Sequence, residues 1–177
     1  SGRLAVGDAR GVLVGAGASG FAAVATRASV RALSFEPGGR LLVGTEDGLF
    51  LLDEGGALED RSPGTGEEAR RIERIASVEG VAAAATPAGV FVTEDLRAWR
   101  RLPGPREALA VALRLGGAGV ELVCVAAGDV LTASLAVGAG TAPALWPLPG
   151  LDAAVRASAS PWWRGERGSG SRRKPPR

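Results

Sequence analysis

Residues Gly39–Asp53 read Gly-Arg-Leu-Leu-Val-Gly-Thr-Glu-Asp-Gly-Leu-Phe-Leu-Leu-Asp, and this segment predicts a β-hairpin. Two apolar runs, Leu41–Thr45 and Leu49–Asp53, flank the polar stretch Glu46-Asp47-Gly48. Asp-Gly between apolar runs is a strong hairpin signal, because glycine accepts the positive φ that a twisted hairpin requires. The segment therefore predicts two antiparallel strands joined by a tight turn.

The same hairpin recurs along the chain at offsets of 37, 41 and 40 residues. The copies are Arg3–Val14, Ala82–Val92 and, with Asp129 at the glycine position, the weaker Leu122–Leu131. Repeats of about 40 residues, each containing a few short strands, are typical of β-propeller blades. The repeat therefore predicts a propeller rather than a single continuous sheet.

Further strands and turns complete each repeat. An alternating apolar strand precedes each later hairpin, and Pro-Gly, which favours a turn and ends a ladder, closes each unit. These strands are Val30–Phe35, Ile72–Val78 and Ala108–Leu115, and the turns are Pro63-Gly64, Pro103-Gly104 and Pro149-Gly150. The predicted fold class is all-β, a propeller of four-stranded antiparallel blades.

The repeat also predicts the domain organisation. Complete blades are expected at 30–64, 71–104 and 108–150, residues 1–28 supply the later strands of an earlier blade, and 152–160 is the first strand of a following one. We favour a piece of a larger propeller. The alternative is a four-bladed ring, in which Asp152–Ser160 completes the blade begun by residues 1–28.

One segment between blades has a helical signal. Thr65-Gly66-Glu67-Glu68 fits a capping box, and Ala69, Ile72, Ile75 and Ala76 follow at helical spacing. A single helical turn there is the alternative to a plain loop.

The composition excludes several classes of chemistry. The 177 residues contain no His, no Tyr and one Cys, Cys124. A Ser-His-Asp triad, a His-ligated metal and an internal disulfide are therefore all excluded. Cys124 lies in an apolar run and is expected to be a small buried hydrophobic residue. No cofactor or metal is predicted.

Charge is concentrated at the end of the chain. Residues 164–177 carry a net charge of +5 and the other residues −3. Residues 161–177 therefore predict a basic disordered tail, and nucleic-acid binding is not expected except through 164–177. No run of about 18 apolar residues occurs, so a soluble chain is expected, exported or periplasmic if a leader belongs to a longer protein.

Two stretches resemble known propeller repeats. Val30–Asp53 resembles two-component-regulator propellers, through its Gly-Arg-Leu strand followed by a Gly-Leu-Phe strand. Gly80–Leu102 resembles the photosystem II stability/assembly-factor propellers, which belong with the sialidase-like Asp-box repeats. Thr93, Asp95 and Trp99 match the Asp-box, but Arg97 stands where glycine is expected.

The preceding repeat matches the Asp-box less completely. It retains Asp53 and Gly55, and Leu58 replaces the tryptophan. The resemblance implies a structural role for these residues: the aspartate organises a turn and the tryptophan packs. It also implies a carbohydrate-binding or glycoside-hydrolase-related alternative. Sialidase chemistry in that family requires a tyrosine nucleophile, which this chain lacks.

A further alternative rests on Gly15-Ala-Gly-Ala-Ser-Gly20. This is the Gly-x-Gly-x-x-Gly pattern of dinucleotide-binding domains, with Glu36 as the ribose-binding acid. Only Phe21–Ala28 is available for the helix, and no βαβ alternation follows. We therefore interpret Gly15–Gly20 as a hairpin turn.

The leading functional hypothesis is a non-catalytic interaction or sensing module that binds a protein or small ligand through its loops. Propellers commonly present one face built from loops within and between blades. Candidate binding residues on that face are Asp8, Arg10, Glu46, Asp47 and Arg106. The partner is not identified by the sequence, and open blade edges predict self-association.

Overall fold

The computed structural model of this chain describes residues 2–16, 20–116, 119–135 and 146–147. Apart from one short helix, the regular structure of these residues is β-strand, which confirms the predicted all-β class. The strands are β1 (Arg3–Gly7), β2 (Gly11–Ala16), β3 (Phe21–Ala25), β4 (Val30–Phe35), β5 (Leu41–Thr45), β6 (Gly48–Leu52), β7 (Leu58–Asp60), β8 (Arg74–Val78), β9 (Val81–Thr86), β10 (Gly89–Thr93), β11 (Arg100–Arg101), β12 (Ala108–Gly116), β13 (Gly119–Ala126), β14 (Asp129–Leu135) and β15 (Trp146–Pro147). The helix is α1 (Glu67–Arg70).

The strands form four antiparallel sheets in chain order. Sheet 1 consists of β1–β3, sheet 2 of β4–β7, sheet 3 of β8–β11 and sheet 4 of β12–β15. Within each sheet, strands that pair are consecutive in the chain. Because β1 and β2 correspond to β5 and β6 in the repeat, sheet 1 contains the equivalents of the second, third and fourth strands.

The hairpin predicted at Gly39–Asp53 is β5–β6. Thr45 pairs with Gly48, so Glu46 and Asp47 alone form the turn. Gly48 therefore begins the second strand, with a φ of 151° that side chains rarely adopt. The sequence predicted Gly48 within the turn. In the structure it is the first residue of β6, and its φ is what requires glycine there.

Successive sheets pack face to face. We call the face of a sheet that points toward the next sheet its back face, and the opposite one its front face. Three apolar clusters fill the spaces between sheets 1 and 2, 2 and 3, and 3 and 4. The first strands β4, β8 and β12 contact one another in order, on one side of the stack. This is a propeller-type arrangement, with blades fanned about the side where the first strands meet.

One alternative from the sequence does not describe this chain, and a second stays a prediction. Phe21–Ala25 is the antiparallel strand β3, so no helix follows the Gly-x-Gly-x-x-Gly pattern and the dinucleotide-binding interpretation is wrong for the fold. The four-bladed ring would cover the front face of sheet 1 with sheet 4. Leu4 and Val6 on that face are 55% and 52% exposed, so the described sheets by themselves form an open arc. Closure through the strand at 152–160 stays a prediction, because those residues lie outside the described ranges.

The helix predicted after Thr65 forms only in part. α1 has four residues and begins after Gly66, and no side chain caps its N-terminus. The predicted Thr65 capping box therefore does not form. Ile72 lies outside the helix and is fully buried, and the strand predicted from Ile72 begins at Arg74.

Several predictions stay untested. Pro149-Gly150, the strand at 152–160 and the tail 161–177 lie outside the described residues. The blade boundaries also stay predictions, although each sheet lies within one predicted range.

We expect Gly44→Ala to lower the free energy of unfolding by about 1–3 kcal/mol, because it overpacks the space between sheets 2 and 3. A Cβ at Gly44 would lie 2.5 Å from Ile72 Cγ2 and 2.9 Å from Ile75 Cδ1. Gly38→Ala is the matched control, since no atom lies within 4 Å of its added Cβ. Urea unfolding followed by circular dichroism measures both. Equal midpoints would contradict the packing described here.

We expect Cys124 to be unreactive in the folded protein at about pH 8. The residue is 1% exposed between sheets 3 and 4, and burial raises the pKa of its thiol to about 11. The thiolate is the reactive form, so burial both shields and neutralises the sulfur. A chromogenic thiol reagent should modify it only after denaturation in urea. Rapid modification of the native chain would show that sheets 3 and 4 separate readily.

Candidate functional site

The connections of the four sheets divide between two edges of the molecule. The turns β1–β2, β5–β6, β9–β10 and β13–β14 lie at the same edge as the links from each sheet to the next, because each sheet is an antiparallel meander. We call this the loop edge and the opposite one the far edge. Backbone hydrogen bonds join neighbouring connections there: Val30 N donates to Asp8 O at 3.0 Å, and Glu107 N to Pro87 O at 2.8 Å.

All five predicted binding residues lie at the loop edge and are exposed. Asp8 and Arg10 lie between β1 and β2, Glu46 and Asp47 form the β5–β6 turn, and Arg106 lies in the link from β11 to β12. Four of the five therefore belong to the adjacent sheets 1 and 2. Arg106 is separated from them by sheet 3.

Polar side chains at one repeat position shape these turns. Asp8 Oδ1 accepts hydrogen bonds from the N–H groups of Arg10 (2.7 Å) and Gly11 (3.1 Å). At the equivalent position Thr45 Oγ1 donates to Gly48 O at 3.0 Å and accepts from Asp47 N at 3.1 Å. Such bonds satisfy backbone groups that the turn would otherwise leave unpaired. Asp8 is therefore largely a structural residue.

An arginine holds the β5–β6 turn from outside the hairpin. Arg70, at the end of α1, donates from Nε (2.9 Å) and Nη2 (2.5 Å) to the carbonyl oxygen of Asp47. Its Nη2 also lies 3.1 Å from Asp60 Oδ2 and would be 2.8 Å from a Cβ at Gly48. The absence of a side chain at Gly48 thus makes room for the guanidinium.

In sheet 3 a different arginine, Arg101, holds the equivalent β9–β10 turn. Arg101 Nε donates to the carbonyl oxygen of Ala88 at 2.7 Å, and lies 3.0 Å from a Cβ built at Gly89. Arg101 pairs with Phe91 as Asp60 pairs with Phe50, so the arginine here comes from the fourth strand itself. Both hairpin turns are consequently fixed by a guanidinium that contacts main-chain oxygen.

A second charged group joins sheets 2 and 3. A β-bulge between Val30 and Ala32 displaces Arg31, whose Nη1 lies 3.1 Å from Glu46 Oε1 and whose Nη2 lies 2.5 Å from Glu73 Oε2. The hydrogen bond to Glu73 is the main cause that raises the pKa of Arg31. Arg71 Nε completes the group at 2.8 Å from Glu73 Oε1. Glu46 is therefore engaged within the protein.

Three exposed side chains of the loop edge are not engaged in this way. Within the described ranges, Arg10 and Arg106 form no side-chain ion pair. Leu109 is displaced by a bulge between Ala108 and Ala110, equivalent to the one at Arg31, and is 59% exposed. Two cations and an apolar side chain are thus available to a ligand.

The Asp-box-like residues of sheet 3 lie at the far edge. Asp95 Oδ1 accepts hydrogen bonds from the backbone N–H groups of Ala98 and Arg97, both at 2.8 Å, and from Thr93 Oγ1 at 3.0 Å. These bonds, the backbone ones first, lower the pKa of Asp95. Trp99 packs against the cluster between sheets 2 and 3. The carboxylate organises the turn.

The corresponding turn of sheet 2 is similar. Asp53 Oδ1 accepts a hydrogen bond from Ala57 N at 2.8 Å, and Gly56 in the same turn has a φ of 86°. Gly55 precedes it and is exposed.

A cavity of about 410 Å³ opens at the far edge of sheet 3, and Asp95 and the adjacent Glu94 line it together with Arg100. Asp53 does not line this cavity, so the cavity does not bring the two Asp-box-like carboxylates together.

The described residues contain neither a metal-binding cluster nor a membrane-spanning helix. No group of three or more His, Cys, Asp and Glu side chains among them is arranged to hold a metal ion. Likewise, no helix in this part of the chain is both long and apolar enough to cross a bilayer.

The fold and its edges define a β-propeller-type chain, and a solved structure shares this architecture. It is described as "YCF48 bound to D1 peptide", with a TM-score of 0.53 and 18% sequence identity. The match covers 80% of this chain and 49% of that one, so this chain spans about half of its length. No protein-family model and no curated protein matches the sequence. The similarity therefore concerns the fold.

We expect Asp60→Asn to destabilise the protein by less than about 1 kcal/mol near neutral pH, since the ion pair with Arg70 is partly exposed. Burial opposes ionisation of Asp60, but hydrogen bonds from Ser62 and Arg70 outweigh it and lower the pKa below the ordinary 3.8. The stabilisation that the ionised carboxylate provides is therefore fully present above about pH 3.8, and it is lost as the pH falls through the lowered pKa.

The measurement is the melting temperature of wild type and variant across acidic pH. The difference between them should shrink as the pH falls below about 3.8. Glu54→Gln is the control: Glu54 is exposed and forms no ion pair within the described ranges, so its small effect should not vary in this way. A pH-independent effect of Asp60→Asn would contradict the assignment.

Proposed function

We propose that this chain is a non-catalytic interaction module that binds a peptide segment of a protein partner at its loop edge. The observation that carries this proposal is the exposed set Arg10, Arg106 and Leu109 at the loop edge, where the neighbouring Glu46 and Asp47 already form ion pairs. Two unpaired guanidinium groups favour a ligand with carboxylates, and Leu109 favours one with an apolar side chain.

The rigidity of the loop edge supports a binding role. Arg70 and Arg101 fix two hairpin turns, and the group around Arg31 ties sheet 2 to sheet 3. Turns held in this way lose little conformational entropy when a ligand binds, which favours affinity. Glu46 and Asp47 then act as supports of the surface, and Arg10 and Arg106 as its contacts.

The similar solved structure adds support of a general kind. YCF48 is described as bound to a D1 peptide, which makes a peptide the class of ligand that we propose for this chain. The finer resemblances to two-component-regulator and Asp-box propellers belong to the same proposal. The Gly-Arg-Leu strand at Gly39 and the turn around Asp95 support them.

Binding is a better interpretation than catalysis. The chain has no His and no Tyr. Asp53 and Asp95 accept backbone hydrogen bonds in turns, and Glu46 forms an ion pair. A carbohydrate-directed role would rest on Asp53 and Asp95. Because both accept backbone hydrogen bonds in their turns, we assign them a structural role and favour peptide binding.

A displayed library of random peptides tests the proposal. Wild-type protein should enrich peptides that combine acidic and apolar residues, and Arg10→Ala and Arg106→Ala should each weaken their binding about 5- to 10-fold, the loss of one charge-assisted contact. Arg97→Ala is the matched control, because Arg97 is equally exposed but lies at the far edge.

Fluorescence titration of one enriched peptide gives the dissociation constants. Equal effects of Arg97→Ala and Arg106→Ala would contradict binding at the loop edge. Failure to enrich any peptide, together with turnover of a fluorogenic glycoside by the same preparation, would overturn the proposal in favour of an enzyme.

A further inference from the structure

The front face of sheet 1 is an apolar surface left open by the described residues. Leu4, Val6, Leu13 and Phe21 project from the three strands on this face and are 55%, 52%, 46% and 48% exposed. Val6 pairs with Leu13, and Leu4 and Phe21 both pair with Gly15, so the four side chains form one contiguous patch. Contiguous apolar patches of this kind usually mark an interface.

The repeat itself shows what such a face normally meets. Leu41, Val43, Phe50 and Leu58 of sheet 2 stand at the same four positions, 37 residues later. Leu41 and Val43 are 1% and 0% exposed, because the back face of sheet 1 covers them. The patch on sheet 1 therefore has the composition of a covered blade face and lacks only the blade that covers it.

Sheet 4 offers a surface of the complementary kind. Its back face carries Val123, Val125, Val130 and Thr132, each half-buried. The residues at the equivalent positions of sheet 3 are Ala83, Ala85, Val90 and Val92, which pack against the front face of sheet 4. Toward the loop edge the back face of sheet 4 thus has the small and β-branched composition that covers a front face elsewhere in the molecule. At its far-edge end the same face carries the exposed ion pair of Arg114 with Glu121.

We propose that the front face of sheet 1 binds the back face of sheet 4 of a second copy of this chain. The contact repeats the back-to-front packing found three times within one chain. In two copies joined at both ends, eight sheets would be available, within the range of about 4–8 blades that closes a propeller. The chain covers 49% of the similar solved structure, so two copies match its extent.

The surface has room for the partner's side chains. A cavity of about 340 Å³ opens on the front face, and Val6, Leu13 and Ala23 line it. Toward the loop edge the cavity is also lined by Asp8, Arg10, Gly11 and Ala25. Valine side chains such as Val125 and Val130 would fill its apolar part, formed by Val6, Leu13 and Ala23, at the close packing that such interfaces require.

This assembly is a separate proposal from peptide binding, because it uses the faces of the end sheets; the two surfaces meet at Arg10, which lines the loop-edge end of the cavity. A head-to-tail contact uses two different patches on each copy, so it either closes into a ring or continues as a polymer. A closed dimer leaves no apolar end face exposed, which favours closure over continued growth.

Sedimentation velocity and light scattering of purified residues 1–177 test the proposal. The wild type should have twice the 17.9 kDa mass of one chain. Val6→Asp on the front face and Val125→Asp on the back face should each give a monomer, because a charge is buried without a partner. Thr132→Glu replaces Val125→Asp if circular dichroism shows that the latter is unfolded.

Mixing the two monomeric variants is the decisive step. Each retains the one face that the other has lost, so Val6→Asp and Val125→Asp should form a 1:1 complex through a single intact interface. Leu115→Asp is the control: Leu115 is 53% exposed but lies at the far end of β12, on the face toward sheet 3, and this variant should remain dimeric.

Four results would overturn the proposal. These are a monomeric wild type, a dimer that survives both substitutions, no complex on mixing, and a ladder of larger polymers in place of a dimer. A monomeric wild type would assign the face to a further blade of a longer polypeptide or to another protein.

Discussion

Packing of the back face of one sheet on the front face of the next is the interaction on which this structure depends. A blade of this size has two apolar faces and can hide neither by itself, because its strands are only two to nine residues long. Sheet 2 illustrates the requirement: Leu41 and Val43 are buried on one side and Leu42 on the other. Burial on both faces explains why β5 is a continuous apolar run rather than an alternating one.

The charged residues of the loop edge largely serve this packing. Arg70 and Arg101 hold hairpin turns by their main-chain oxygens, and Arg31 connects two sheets through Glu73. Partly exposed ion pairs contribute little to stability individually, so their main effect is to fix geometry. The side chains available to bind a ligand are then those that form no ion pair among the described residues, such as Arg106.

How much of this was predictable from sequence depended on the kind of signal. The hairpins followed from local chemistry, because apolar runs around Gly48 and Gly89 specify strands and turns within a few residues. Even the weak fourth copy was aligned correctly: Asp129 pairs with Ala126 as Gly48 pairs with Thr45, and the positive φ moves to Ala127 and Gly128.

The site was less predictable, because its geometry depends on distant residues. The five loop positions could be assigned to one edge from connectivity alone. The bulges that displace Arg31 and Leu109 have no local sequence signature, since each is a register shift between two paired strands. Arg70 could not be connected with Asp47, 23 residues earlier, because that contact requires α1 to fold beside the hairpin.

The linear order of the clusters has a consequence for cooperativity. Each of the three apolar clusters joins only two neighbouring sheets, so stability is transmitted along the stack from one neighbour to the next, as in a one-dimensional chain of coupled units. Within one chain, the described residues couple sheet 1 on one side only, through the cluster with the fewest fully buried side chains. Opening of the native state should accordingly begin by fraying at that end, while sheets 2 and 3 remain intact.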